Sequence, residues 1–221
     1  MKKNYKVIAF DLDGTLTNPE QGLVASYIYA LKKAGIDYGE KSKLKRYIGP
    51  PLIESWEADY GLTREQATEI LATFREFFGV YGWWDNEVYA GIPELLAKLK
   101  AAGKTVVLST SKPDVYSSRI LSHFGIDGYF DFSEGATADH TRERKCDVLR
   151  YALDAVGVGT DPDELAECVL VGDTKFDAEG ARQVGIDCIG VLYGFGSEAD
   201  LLSEGATYIA PTVRDIEDIL L

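Results

Sequence analysis

Short apolar runs that break off at residues with reactive side chains constrain this chain more than any other feature. Tyr5-Lys6-Val7-Ile8-Ala9-Phe10 has the length and composition of a buried strand. Thr105 to Ser109, Cys168 to Val171 and Cys188 to Leu192 repeat the pattern. From Gly91 onward such runs alternate with helical stretches: Pro93 to Ala102, Pro113 to Phe124, Lys145 to Val156 and Phe176 to Val184. Further short strands are expected at Tyr129 to Phe132 and Thr207 to Ala210, and a last helix follows. This alternation predicts an α/β fold, a doubly wound parallel sheet with helices on both faces.

Between the first strand and Gly91 the pattern is helical. Leu23, Val24, Tyr27, Ile28 and Leu31 form one apolar face, which ends at Gly35. A short segment from Ser42 to Tyr47 leads to Gly49-Pro50-Pro51, whose second proline suits a helix first turn. Thr63-Arg64-Glu65-Gln66 reads as a capping box for the helix carrying Ile70, Leu71, Phe74, Phe77 and Phe78. The aromatic cluster at Tyr81-Gly82-Trp83-Trp84 is expected to be core or interdomain packing. The expected division is therefore a catalytic core at 1–16 and 88–221, with an α-helical cap inserted at 17–87.

The strand ends carry the chemistry. Asp11-Leu12-Asp13-Gly14-Thr15 puts two acids on one face where the first strand ends, and Gly14 lets the backbone approach what they hold. Two carboxylates so close repel unless a cation or a shared proton stabilises them. By itself D-x-D-G also suits a turn, whereas an EF-hand loop is excluded because Gly14 comes too early. Ser109-Thr110-Ser111-Lys112-Pro113 sets hydroxyls and a lysine before a helix N-terminus, where free N–H groups favour an anion. Gly172-Asp173-Thr174-Lys175-Phe176-Asp177 adds two acids about one helical turn apart, and Lys145 opens a helix. Each has a plainer role: a cap for Thr110 or Ser111, an N-cap acid and a dipole-stabilising acid for Asp173 and Asp177, a solvated run for Arg142-Glu143-Arg144-Lys145. Together those plainer roles explain poorly why every motif falls at the carboxyl edge of one sheet. Gly194-Phe195-Gly196-Ser197-Glu198-Ala199 matches a dinucleotide fingerprint, but too little chain follows for a βαβ unit, and a loop at the sheet edge is expected.

Composition narrows the function. Among 221 residues the net charge is −13, which argues against a nucleic-acid polymer or an anionic membrane as partner. No apolar run reaches the roughly 20 residues of a membrane span. Met1-Lys2-Lys3-Asn4 passes into the first strand without a secretory apolar region, so a cytoplasmic protein is expected. Cys146, Cys168 and Cys188 have no metal-ligand spacing and suit reduced thiols; two histidines, His123 and His140, rule out a histidine-rich metal site.

In this arrangement the sequence resembles the haloacid dehalogenase superfamily of phosphatases over nearly its whole length. The residues that carry the likeness are Asp11-x-Asp13-Gly14-Thr15, Thr110, Lys145 and Gly172-Asp173-x-x-x-Asp177, with the helical insertion between the first two motifs. Ile48-Gly49-Pro50-Pro51-Leu52, Ser111-Lys112-Pro113 and Gly190-Val191-Leu192-Tyr193-Gly194 look like the phosphoglycolate-phosphatase-like branch, and within it the 5′-nucleotidase-like members. In contrast to many relatives, Cys146 rather than proline follows Lys145, which leaves Arg144 and Lys112 as alternative phosphate partners.

The resemblance implies a HAD-like Rossmannoid core and a Mg²⁺-dependent phosphatase acting on a small phosphate ester, 2-phosphoglycolate or a nucleoside 5′-monophosphate. It implies Asp11 as nucleophile, Asp13 as acid and base, and Thr110 and Lys145 as holders of the phosphoryl group. The metal would be held by Asp11, Asp13 through its backbone carbonyl, and Asp173, with Asp177 on its waters or on Lys145. Ser111, Lys112, Arg46 and Gly49 are expected to contact substrate. A sugar phosphomutase and a non-catalytic binding protein of the same fold are the competing readings, and a monomer or weak dimer is expected.

Overall fold

A computed structural model describes residues 3–137, 141–142 and 144–221. Met1, Lys2, His140 and Glu143, cited above, lie outside them. The chain divides into two compact units, Met1–Thr17 with Val88–Leu221, and Asn18–Glu87.

The first unit is built on five parallel strands. β1 (Val7–Phe10) is buried along its length, as are most of the residues in β4 (Thr105–Leu108), β5 (Cys168–Gly172) and β6 (Asp187–Val191); β7 (Tyr208–Ala210) forms an edge. The order is β4-β1-β5-β6-β7, with Val7 opposite both Thr105 and Cys168. The chain passes from β1 to one neighbour and later returns to the other side of β1. That reversal opens a crevice beyond the carboxyl ends of the strands. α4 (Ile92–Ala101), α5 (Asp114–His123), α6 (Lys145–Ala155), α7 (Pro162–Leu165), α8 (Lys175–Val184), α9 (Glu198–Ser203) and α10 (Val213–Leu220) complete the unit. Alternate strand residues serve opposite faces. Val7, Ala9, Leu170 and Cys188 pack with Leu149, Ala152 and Leu153 of α6 and Ala178 and Ala181 of α8.

The expected strand at Tyr129 to Phe132 does not form. A 3-10 turn occupies Asp127–Tyr129, and only Phe132 bridges Val107. The Asp131 carboxylate takes the ladder donor itself, accepting from Val106 N–H at 2.8 Å, so a side chain replaces the next rung. The three cysteines are free thiols, with Cys168 and Cys188 buried.

The second unit holds α1 (Glu20–Lys33), a 3-10 segment Lys41–Tyr47, α2 (Leu52–Tyr60), α3 (Arg64–Phe77) and a π turn at Phe78–Gly82. Short strands β2 (Thr17–Asn18) and β3 (Glu87–Val88) pair where the chain enters and leaves it. Its core is aromatic: Tyr27 meets Tyr47 and Trp56 edge-on at 6.0 and 6.2 Å and stacks on Phe74 at 5.3 Å. The 81–84 cluster joins the packing only in part: Gly82 is buried and Trp83 half-buried, while Tyr81 and Trp84 are 59% and 56% exposed. The π turn adds a residue to the helical repeat, and Gly82 sits so close to Gly22 that a Cβ on Gly22 would lie 2.0 Å from its carbonyl oxygen. Gly82 takes the inward position, and Tyr81 beside it is exposed.

At the start of α3, Thr63 Oγ1 accepts from Gln66 N–H at 3.3 Å and Gln66 Oε1 accepts from Thr63 N–H at 2.9 Å, as the capping box requires. Thr63→Ala is expected to cost about 1 kcal/mol, read as a lower urea midpoint with little change in slope.

Candidate active site

Every parallel strand ends on one edge, so the residues just beyond β1, β4, β5 and β6 converge. The chain leaves β1 at Asp11 and turns at once. Gly14 has φ +85°, donates to Thr17 O at 2.8 Å, and a Cβ there would lie 2.1 Å from Asp173 Oδ2. Only glycine suits that position.

Asp11, Asp173 and Asp177 are buried and bring one carboxylate oxygen each to within 4.8 Å of one another. Among the described residues one cation answers them. Lys145 Nζ stands 2.6 Å from Asp11 Oδ1, 2.7 Å from Asp177 Oδ1 and 2.9 Å from Ser109 O. Burial opposes the charge on Lys145, but the carboxylates of Asp11 and Asp177 outweigh it and raise its pKa, so it stays protonated. Burial pushes Asp11 up to about 6, against the pull of Lys145, leaving it ionised at neutral pH. Asp173 is raised well above the usual carboxylate range by burial and then by the charges of Asp177 and Asp11.

Two glycines make room for this ion pair. A Cβ on Gly180 would lie 2.5 Å from Lys145 Cγ, and one on Gly172 2.3 Å from Asp177 Cγ. Asp177 is also the third residue of α8, where its Oδ2 accepts from Thr174 N–H at 3.0 Å and from the Thr174 hydroxyl at 2.7 Å. The helix cap and the charged cluster therefore use the same carboxylate.

Lys145 opens α6 with only 9% of its surface exposed, so the solvated-run reading does not describe it. Arg144 is directed to Gln183 Oε1 at 3.4 Å instead. Lys112 Nζ pairs with Asp13 Oδ2 at 2.5 Å, so the Asp13 side chain faces this lysine and is not one of the three clustered acids. Thr110 is buried, its Oγ1 accepting from Lys112 N–H at 3.2 Å, and Ser111 is exposed. Arg46 and Gly49 belong to the second unit. There the Arg46 guanidinium pairs with Asp59 Oδ2 at 2.8 Å and donates to Tyr47 Oη at 3.0 Å, while Gly49 is exposed.

The arrangement suits a metal ion. Among the described residues Asp173 Oδ1 is buried with no hydrogen-bond partner, and the three clustered acids exceed the one lysine beside them. All the donors are oxygens, as hard divalent cations prefer. The residues beyond β6 are read from the sequence as a loop at the sheet edge, with no part in the site. Phe195 N–H donates to Asp173 Oδ2 at 2.7 Å, and the Tyr193 hydroxyl donates to Thr15 O at 3.0 Å. Their signal was the glycine pair 194 and 196 at the same sheet edge.

Known proteins resemble this chain over nearly its whole length. Residues 8–191 match the model of the haloacid dehalogenase-like hydrolase family. A 5′-nucleotidase of Pseudomonas aeruginosa is 38% identical over 216 residues, covering 98% of this chain and 96% of that protein. A protein of Mycobacterium tuberculosis named tyrosine-protein kinase PtkA is 36% identical over 214 residues, covering 97% of this chain and 71% of that one. The crystal structure of a predicted phosphatase from Clostridium acetobutylicum superposes with a TM-score of 0.90 at 38% identity, over 98% of both chains. With the strand-end acids, the buried lysine and these likenesses spanning nearly its full length, the chain belongs to the haloacid dehalogenase-like hydrolases.

Proposed function

We propose that this protein is a Mg²⁺-dependent phosphatase that hydrolyses a small phosphate monoester through an aspartyl phosphate on Asp11. The preferred substrate class is a nucleoside 5′-monophosphate, with 2-phosphoglycolate second, because the Pseudomonas aeruginosa relative is named 5′-nucleotidase. The observation that carries the reading is Lys145 bridging Asp11 and Asp177 beside the unpartnered oxygen of Asp173.

In the first half-reaction the Asp11 carboxylate attacks phosphorus and the bond to the leaving oxygen breaks. Asp13 gives that oxygen a proton. In the second half Asp13 takes a proton from water, whose oxygen attacks phosphorus, releasing inorganic phosphate and regenerating Asp11. Lys145 orients Asp11 and, with Thr110, Ser111 and the N–H groups near them, holds the phosphoryl oxygens. Mg²⁺ held by Asp11, the Asp13 carbonyl and Asp173 would neutralise charge between carboxylate and phosphate. The helical unit is assigned the selection of the leaving group, as a cap, with Arg46 and Gly49 as its candidate contacts.

Among the described residues no helix is long and apolar enough to cross a membrane. A cytoplasmic enzyme, monomer or weak dimer, belongs to the same proposal.

The purified protein is expected to hydrolyse 4-nitrophenyl phosphate with Mg²⁺ and to lose that activity in EDTA. A panel of nucleoside 5′-monophosphates, 2-phosphoglycolate and sugar phosphates then ranks substrates. A hexose 1-phosphate converted to its 6-phosphate would point to the mutase instead. No turnover on any ester would leave only a binding role.

A further inference from the structure

The motif at Gly194-Phe195-Gly196 is left without a role by the reaction above, although it follows β6 at the same edge as the acids. It wraps Asp173. A Cβ on Gly194 would lie 2.4 Å from both Cβ and Oδ2 of Asp173, and one on Gly196 would lie 2.0 Å from the Asp173 carbonyl oxygen. Gly14 closes the third side, 2.1 Å from Oδ2 by the same measure. Between the two glycines, Phe195 N–H donates to Oδ2 at 2.7 Å, while Oδ1 is buried with no partner among the described residues. The two oxygens of one carboxylate thus have different assignments: one is committed to the backbone, the other is left for a ligand.

We propose that the Gly194–Gly196 loop is a positioning clamp that makes Asp173 a single-oxygen ligand and so sets which divalent cation the site accepts. This rests on the metal-dependent reading above and extends it to selectivity. The physical reason is ligand count. Mg²⁺ takes single oxygens and keeps several waters, whereas Ca²⁺ takes more oxygens and accepts both from one carboxylate. An oxygen held by a main-chain N–H cannot turn toward the ion without losing that bond. Asp11 is restrained likewise, since its Oδ1 lies 2.6 Å from Lys145 Nζ. No side chain in the loop need touch the ion; the selection comes from a backbone donor and from the space that two glycines leave.

The test is calorimetric titration of the substrate-free protein with MgCl₂ and, separately, CaCl₂. Phe195→Pro removes the N–H, and Gly194→Ala crowds both the Asp173 side chain and the Gly14 carbonyl oxygen, displacing the carboxylate from that N–H. Each is expected to weaken Mg²⁺ binding by about 10- to 100-fold, the usual effect of losing a group that orients a metal ligand. Ca²⁺ binding is expected to fall less, so the Mg²⁺-to-Ca²⁺ affinity ratio drops. An equal loss for both ions, or no loss, overturns the clamp, as does a wild-type protein that binds neither ion. Circular dichroism screens folding. If the proline variant is unfolded, Gly194→Ala decides by the same two results. Wild-type hydrolysis of 4-nitrophenyl phosphate is followed separately. Its absence would sink the phosphatase reading while the affinity ratio still reports on the clamp.

Discussion

Asp11→Asn is expected to lower turnover of 4-nitrophenyl phosphate by at least about 10⁴-fold while the protein stays folded. The amide keeps the shape of the carboxylate but carries no charge and is a poor nucleophile, so the covalent half-reaction has no route. Folding should survive because the change removes one negative charge from three buried acids that face a single lysine. Burial already pushes Asp11 up to about 6, a sign that its charge is costly here. The variant should therefore melt at or above the wild-type temperature when divalent cations are absent. A folded Asp11→Asn protein with more than a few per cent of wild-type turnover would refute Asp11 as the nucleophile.

Lys145→Ala should show the opposite pattern, losing stability along with activity. Its ammonium group is buried against Asp11 at 2.6 Å and Asp177 at 2.7 Å, and the alanine leaves both carboxylates without a cation. Removing one partner of a buried pair typically costs about 3–5 kcal/mol, because the remaining charge loses its compensation inside the protein. The loss should be read by urea unfolding without divalent cations. Lys145→Met, which keeps most of the stem against Gly180, separates lost charge from lost packing. If both variants unfold at the wild-type midpoint, the pair contributes little, and the site is more hydrated than its burial suggests. Together the two substitutions distinguish a group that reacts from one that holds the site together.

The contrast shows what could be read from the chain directly. Val7–Phe10, Thr105–Leu108 and Cys168–Gly172 are short, apolar and fully or mostly buried, so periodicity and length identify them as strands of a parallel sheet. The capping box at Thr63 was legible for the same reason: its hydrogen bonds join residues three apart. The stretch from Tyr129 to Phe132 departs from the expected strand because the Asp131 carboxylate takes the donor a further rung would have used, leaving only Phe132 to bridge Val107. Nor does apolar character show which aromatic residues are inside. Trp56 is wholly buried while Trp84 is 56% exposed, though both are tryptophans of the same helical unit.

The reactive residue types and their order at the strand ends are legible in the chain, because a parallel sheet sends every such end to one edge. Which of them meet follows from packing. Lys145 could be told from Arg144 and Lys112 only once α6 packed on α8, with Gly180 leaving space for its stem. Asp13 and Asp11, two residues apart, face different lysines. Asp173 finds its backbone donor 22 residues away at Phe195, across a turn whose local pattern resembled something else. Pairings of that kind depend on distances closed by folding, and spacing along the chain does not encode them one residue at a time.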